Sequence, residues 1–298
     1  MKLISLKAIT VLVFAVFMLS TPIARAAPTT VDLGTADPFA ILSGTPNITD
    51  SPTSVITGNV GLYPAAGSGI GLLCSQVTGT IYARDGTGDP CFTVNDPLLL
   101  AAKNSLTTAY LDAAGRTPVT TVATELGGTT LVAGIYAASS TTFDITAGAG
   151  ALVLNGQGDS SSVFIFEMNA TGTGLVVGPG STVSLTNGAQ ACNIFWRVDT
   201  ATIDTTAVFK GNILALTSIT VANGANIEGR LLARNGSVTL INDTITIANC
   251  ATTTTVTIPG LPNTGGDSPN TPWGVITAVT GTALLSFLLS RRNRADSR

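Results

Sequence analysis

Four cysteines, seventeen carboxylates and no histidine set what this 298-residue chain can do chemically. Without imidazole there is no Ser-His-Asp or Cys-His nucleophile system of the ordinary kind. Carboxylate pairs can hydrolyse glycosides without histidine, so Asp199 with Asp204 and Asp144 with Glu167 are the pairs to weigh. They lie among scattered acids. The aromatic residues that would make a sugar platform sit in apolar strand contexts such as Val163-Phe164-Ile165-Phe166. The expectation is a protein that is not an enzyme and carries no cofactor. Cys74, Cys91, Cys192 and Cys250 show no CxxC spacing and have no histidine to complete a zinc site, so no metal is expected there. Oxidation is the alternative, and four cysteines allow three pairings. Cys74–Cys91 with Cys192–Cys250 is preferred because each pair brackets a contiguous segment, and each bridge is worth about 2–4 kcal/mol in the chain-entropy model. Asp85-Gly86-Thr87-Gly88-Asp89 lacks the repeated carboxylates and distal Glu of a calcium loop and reads as a tight turn. Gly67-Ser68-Gly69 and Gly172-Thr173-Gly174 open no helix, so they are not phosphate cradles.

Disulfides need an oxidising compartment, and both ends of the chain point outward. Lys2 and Lys7 precede the apolar core Ala8 to Leu19, and Ala24-Arg25-Ala26 supplies small residues beside a cut. Residues 1–26 therefore read as a signal peptide. At the other end stand Leu261-Pro262-Asn263-Thr264-Gly265, an apolar run from Gly274 to Leu289, and Arg291-Arg292-Asn293-Arg294. A lone pentapeptide is a weak motif; three parts in this order are specific. Together they resemble a sortase sorting signal, which implies a cut after Thr264, transfer of its carbonyl to an amine of the wall, and sortase and peptidoglycan as partners. Residues 273–290 are expected to cross the membrane, with Trp273 at the interface and the arginines of 291–298 kept cytoplasmic. The organisation expected is a signal peptide, an exported domain over 27–258, a linker over 259–272, the span and the basic tail. Its expected place is the cell wall or the cell-surface membrane.

The exported part is acidic and nearly uncharged elsewhere. From Ala27 to Thr264 there are 7 Lys+Arg against 15 Asp+Glu, a net charge of −8. Phosphate binding needs a basic face, so nucleic acid is a poor partner. Charged residues make up 10% of the chain and hydrophobic ones 45%. Its surface is therefore Thr, Ser, Asn, Ala and Gly over a buried core, and long β-branched runs argue against disorder.

Repeats show how that core is built. A shift of eighteen residues places Thr202-Ile203 on Thr220-Val221, Ala207 on Ala225, Phe209 on Ile227, Gly211 on Gly229 and Leu214-Ala215 on Leu232-Ala233. A third copy starts at Val238-Thr239-Leu240, and an earlier one ends with Asn193-Ile194-Phe195-Trp196 over Asn212-Ile213-Leu214-Ala215. Short alternating strands with Gly/Asn corners at this period predict a β-solenoid whose coils are stable only when stacked. One segment departs from it. Asp96-Pro97 reads as an N-cap followed by proline at the first helical position, and Leu99, Ala102, Leu106, Ala109, Tyr110 and Ala113 recur at helical spacing, predicting one amphipathic helix over about 96–115.

Five separated blocks carry a family likeness: Leu33-Gly34-Thr35-Ala36, Ile56 to Pro64, Thr108 to Thr117, Gly188 to Trp196 and Gly229-Arg230-Leu231-Leu232-Ala233. In order and spacing they resemble the large microbial ice-binding, antifreeze-type proteins over about residues 31 to 250. The resemblance implies an all-β fold, a discontinuous right-handed parallel β-solenoid of triangular section with one long helix alongside. It also implies ice binding by one flat face, by a monomer. The family's Thr-(Ala/Gly)-x-(Thr/Asn) tetrad maps onto Asn223-Gly224-Ala225-Asn226, Pro179-Gly180-Ser181-Thr182, Thr205-Thr206-Ala207-Val208, Asn242-Asp243-Thr244-Ile245 and, without hydroxyls, Gly150-Ala151-Leu152-Val153. The ice-binding candidates are therefore Thr182, Thr205, Asn223 and Asn226 at the tetrad corners, with Thr186, Thr220 and Thr239 assigned to a neighbouring face.

The physics of such a face is simple. Stacked strands lie about 4.8 Å apart and alternate residues along a strand about 6.6 Å apart, which makes a grid of side chains. Threonine holds one methyl and one hydroxyl in a fixed rotamer on that grid, so it can order water without flexible charges. The expected function is ice adsorption by a wall-anchored protein; the alternative is a structural or adhesive surface module that turns the same face to a polysaccharide or a protein.

Overall fold

The Gly/Asn corners and alternating strands do close into stacked coils. In a computed structural model describing residues 27–250 apart from 52 and 169–173, nearly all pairing is parallel and falls on three faces. The first, the helix face, is a path of strands from Thr120–Val122 at one end to Thr93–Val94 at the other. The second stacks Thr142–Ile145, Gly174–Val177, Thr200–Ile203, Ile219–Val221, Val238–Leu240 and Ile48–Asp50. The third begins with Thr130–Val132, Leu152–Asn155 and Val183–Thr186. It continues through the first halves of Val208–Ala215 and Asn226–Ala233 to Thr244–Thr246, Val55–Thr57 and Val77–Thr78.

Stacking order is not chain order. The first coil of the chain, with strands Phe39–Ser43 and Ile48–Asp50, lies against the last, with Asn226–Ala233 and Val238–Leu240. Helix α1 (Asp96–Ala114) explains how this is possible. Nineteen residues span about 28 Å, enough to carry the chain from the strand Thr93–Val94 back along the helix face toward Thr120. Its cap is one residue earlier than expected: Asn95 accepts the Leu98 N–H at 3.1 Å, and Asp96 is the first helical residue. Leu99, Ala102, Leu106, Ala109, Tyr110 and Ala113 are buried against Phe39, Leu42, Ile135, Ile165, Phe195, Leu214 and Leu232. The pattern missed Lys103, which is also buried and donates Nζ to the Ala233 carbonyl at 2.6 Å.

Inside the coils lies the second core. Phe166 stacks on Trp196 with centroids 3.8 Å apart, flanked by Tyr136, Phe143 and Phe209. Val208–Ala215 and Asn226–Ala233 pair residue for residue at the eighteen-residue shift. Gly211 and Gly229 stack where these long strands bend from the third face to the helix face. Both have positive φ, and a Cβ on Gly229 would overlap the Gly211 carbonyl. The earlier copy is offset from the expected register: Phe195, not Asn193, pairs with Asn212. The 3-10 turn Ala191–Asn193 is the reason, since it delays the strand start to Ile194.

Disulfides join Cys74 to Cys91 and Cys192 to Cys250. Among the described residues no helix is long and apolar enough to cross a membrane. The signal peptide at 1–26, Leu261 to Gly265, the span at 273–290 and the basic tail lie outside the described residues.

Candidate ligand-binding face

The second and third faces share a corner and a backbone grid but not a surface. On the second, alternate residues point inward as Phe143, Leu175, Ala201, Ile203, Ile219, Val221, Val238, Leu240 and Ile48, all core residues. Their outward neighbours form rows across the coils. One row runs Asp144, Val176, Thr202, Thr220, Thr239, Thr49. A parallel row holds Thr142, Gly174 and Thr200 and passes on to Ser218 and Ser237. Four consecutive threonines thus stand about 4.8 Å apart, each rotamer stiffened by its β-branch. Thr49 Oγ1 donates to Thr239 Oγ1 at 3.2 Å, joining the first coil to the last. Asp144 is the one charged residue in these two rows. We call this the threonine face.

The third, mixed face carries the rows Thr182, Val208, Asn226, Thr244, Val55 and Lys210, Glu228, Thr246, Thr57, Thr78. Lys210 Nζ meets Glu228 Oε2 at 2.7 Å, with the Glu228 side chain 46% exposed. This ion pair puts two charges with long side chains in the middle of the grid.

The sequence candidates are spread over this geometry. Thr220 and Thr239 are neighbours on the threonine face. Thr205 and Asn223 stack at the corner, where the Thr206 N–H donates to the Asn223 carbonyl and Asn242 Nδ2 donates to Asn223 Oδ1 at 3.1 Å. Thr182 and Asn226 lie on the mixed face with Val208 between them, and Thr186 is on the mixed face too, paired with Asn155 rather than on the face of Thr220. The corner of the last coil is also read one residue differently. Thr206, Gly224 and Asn242 share a positive φ, and Asn226 pairs with Thr244, so the tetrad there is 241–244 and ends in Thr244, not Ile245. Thr182 is followed by Val183, which pairs with Leu152; the corresponding turn of the earlier coil therefore ends at Ala151 rather than Val153.

Thr202, Thr200 and Thr49 are the residues that the corner motif passed over. Thr202 already aligned with Thr220 in the eighteen-residue repeat and is found by its alternation with Ala201 and Ile203. Thr49 carries no local signal, because its neighbour Thr239 is 190 residues away.

The carboxylate pairs do not form acid–base sites. Asp199 and Asp204 flank the four-residue strand Thr200–Ile203, roughly 13–16 Å of extended chain, beyond the roughly 5–9.5 Å that glycosidases use. Asp199 accepts Thr217 Oγ1, and the Asp204 carboxylate accepts the Thr205 N–H. Asp144 is on the threonine face while Glu167 is buried on a strand of the helix face. In the Asp85 to Asp89 turn, the Thr87 hydroxyl and the Gly67 and Thr87 amides occupy the Asp85 carboxylate and hold it below the usual carboxylate range.

The architecture that carries these rows is a discontinuous parallel β-solenoid with one covering helix. Residues 41–246 match the model of the Ice-binding-like family, and the chain belongs to that family. It is 39% identical over 224 residues to an ice-binding protein of Flavobacterium frigoris (strain PS1), covering 73% of this chain and 76% of the relative. It is 41% identical over 229 residues to one from a Colwellia species, covering 74% and 85%. Among solved structures, an ice-binding protein from an Antarctic biological consortium superposes with a TM-score of 0.66 at 34% identity, covering 77% of this chain and 96% of that one. The DUF3494 domain of Shewanella frigidimarina ice-binding protein 1 gives 0.67 at 32%, covering 75% and 100%.

Proposed function

We propose that this is an exported ice-binding protein that adsorbs to ice through the threonine face and is held at the cell wall by its C-terminal signal. The observation that carries the first half is the unbroken row Thr202, Thr220, Thr239, Thr49, flanked by Thr200, Ser218 and Ser237. Fixed hydroxyls on a rigid lattice hold water in place, while the methyls and the absence of charge keep bulk water from competing for it. Thr205 and Asn223 extend this surface to the corner; Thr182, Asn226 and Thr186 face away from it. The named ice-binding relatives support the same reading. Adsorption requires no catalysis, cofactor or metal, and each monomer presents one face.

Purified full-length chain added to a supercooled droplet is expected to slow and shape a growing ice crystal, and Thr220→Tyr to abolish this. A wild-type protein that leaves crystals round and freely growing contradicts the ice reading and favours the adhesive one, with a polysaccharide or a protein against the same face.

Anchoring rests on Leu261 to Gly265, the apolar run and the arginines in their order. Thr264→Ala should move the protein from the covalent wall fraction into membrane or medium. Equal release of both forms by wall digestion would show that sortase does not process it.

A further inference from the structure

The threonine row crosses a seam. Thr202, Thr220 and Thr239 belong to successive coils joined by the chain itself, but Thr49 is aligned with Thr239 only through contacts between residues some 190 positions apart. Something must set that register, because parallel strands with apolar inner sides can slip by two residues and still bury them.

The corner beside the row holds one residue unlike its counterparts. At the inward position of the stacked corners stand Ser181, Ala207, Ala225, Asp243 and Ser54, all buried. Asp243 alone is ionisable. Its Oδ1 accepts the Ala225 N–H at 3.0 Å from the preceding coil, and Oδ2 accepts the Ile241 N–H at 2.8 Å in its own turn. Its backbone N–H donates to Ser54 Oγ at 2.9 Å, across the seam. Ser54 Oγ in turn donates to Asp50 Oδ1 at 2.7 Å, the Ser54 N–H donates to Asp50 Oδ2 at 2.8 Å, and Gln76 Nε2 donates to Asp50 Oδ2 and the Ser54 carbonyl. This is a polar spine through four coils, perpendicular to the strands, and Asp50 directly follows Thr49. Of these bonds only the one from the Asp243 N–H to Ser54 Oγ joins the last coil to the first, and a shifted first coil would leave that buried N–H unpaired, which favours the observed register.

We propose that Asp243 is a positioning residue for the threonine row: its carboxylate fixes the corner of the last coil so that its backbone N–H meets Ser54 Oγ, and Ser54, held by Asp50 and Gln76, keeps the first coil where Thr49 continues the line of Thr239, Thr220 and Thr202. The inference rests on the ice-binding reading of that row. Burial raises the Asp243 carboxyl to about 6 against the pull of the Ile241 and Ala225 amides, and the neighbouring Asp50 pushes the same way.

Two substitutions and two independent readouts test it in the full-length chain. Asp243→Ala places at this position the residue that the two preceding coils carry, so the fold should survive. It should abolish the hydrogen-exchange protection of the Ala225 and Ile241 amides, lower protection in Ile48–Asp50, and cut ice-growth inhibition about threefold, as expected when a site's supporting contacts are loosened. Asp243→Asn keeps one acceptor and should recover part of both losses. In the wild type the Ala225 and Ile241 amide proton shifts should titrate together near pH 6, and in the Asn variant they should not. Unchanged protection in Asp243→Ala overturns the staple. Lost protection with full ice activity overturns the link to the row. A wild-type protein without ice activity but with the predicted exchange pattern refutes the ice reading and with it the functional half of the proposal, while the register half stands.

Discussion

The threonine face and the mixed face are built on the same coils, with the same strand spacing and a shared corner, yet only one presents four consecutive threonines with no ion pair among them. On the threonine face the row facing out is Thr202, Thr220, Thr239, Thr49. On the mixed face the corresponding coils present Lys210, Glu228, Thr246 and Thr57. A β-solenoid therefore supplies a grid three times over, and the side chains decide what each copy presents to solvent. Stiff hydroxyl-bearing residues keep the grid; a Lys–Glu pair with several rotatable bonds blurs it.

The largest perturbation removes what both faces share. Trp196→Ala takes away the ring stacked on Phe166 and should cost about 3–5 kcal/mol, read as a lower unfolding midpoint, with any surface activity of either face lost together. A variant that keeps its midpoint would mean that the two faces do not depend on one core.

A smaller effect separates the core under the helix face from the corner between the other two. Burial pushes Lys103 down to about 7 from 10.5. Between those values the unfolded chain holds the extra proton, so its contribution to stability rises with pH and is lost as pH falls through about 7. Asp243 has the opposite sign: raised to about 6 from 3.8, it binds its proton first in the folded chain, and its contribution grows as pH falls from about 6 toward 3.8. Denaturant titrations from pH 4 to 10 should lose the first slope in Lys103→Met and the second in Asp243→Asn, each without affecting the other.

Sharpening the contrast is the third step. Val176→Thr extends the threonine row by one coil toward Asp144. At roughly 40% exposure the exchange costs little core contact, and it should strengthen ice-growth inhibition by about twofold, or roughly 0.4 kcal/mol. Reduced inhibition would show that the row ends functionally at Thr202. The smallest effect is expected on the mixed face. Lys210→Thr with Glu228→Thr removes a partly exposed ion pair and should change stability by less than about 1 kcal/mol in denaturant unfolding. A larger loss would mark that pair as structural.

The repeat was legible because corners and alternation are local: Ala207 over Ala225 and Gly211 over Gly229 both follow from an eighteen-residue shift, and the structure pairs those coils directly. The helix was equally legible from Leu99, Ala102, Leu106 and Ala113, while Asn95 took the capping role because its side chain reaches the Leu98 amide. What stayed hidden was non-local. The contact of Ile48–Asp50 with Val238–Leu240 depends on α1 returning the chain, and no repeat length encodes it. For the site, the corner tetrads drew attention to Asn226 and Thr182, one bend away from the threonine row. The same repeat that aligned Thr202 with Thr220 already contained the row, but which side of a strand faces solvent becomes evident only when Phe143, Ala201 and Ile219 are seen packed in the core.

The central claim is that the face with the uncharged threonine row meets ice and the face with the ion pair does not. The direct measurement compares Thr220→Tyr with Asn226→Tyr in the full-length chain, recording ice-growth inhibition and melting midpoint for each. Both sites are exposed and lie on adjacent faces of the same coil, one corner apart, so a tyrosine is tolerated by the fold at either. Thr220→Tyr should lower inhibition at least about tenfold, equivalent to about 1.4 kcal/mol of lost adsorption free energy, with the midpoint unchanged, and Asn226→Tyr should leave inhibition within about twofold of wild type. Full activity in Thr220→Tyr with loss in Asn226→Tyr would contradict the account and assign ice to the mixed face.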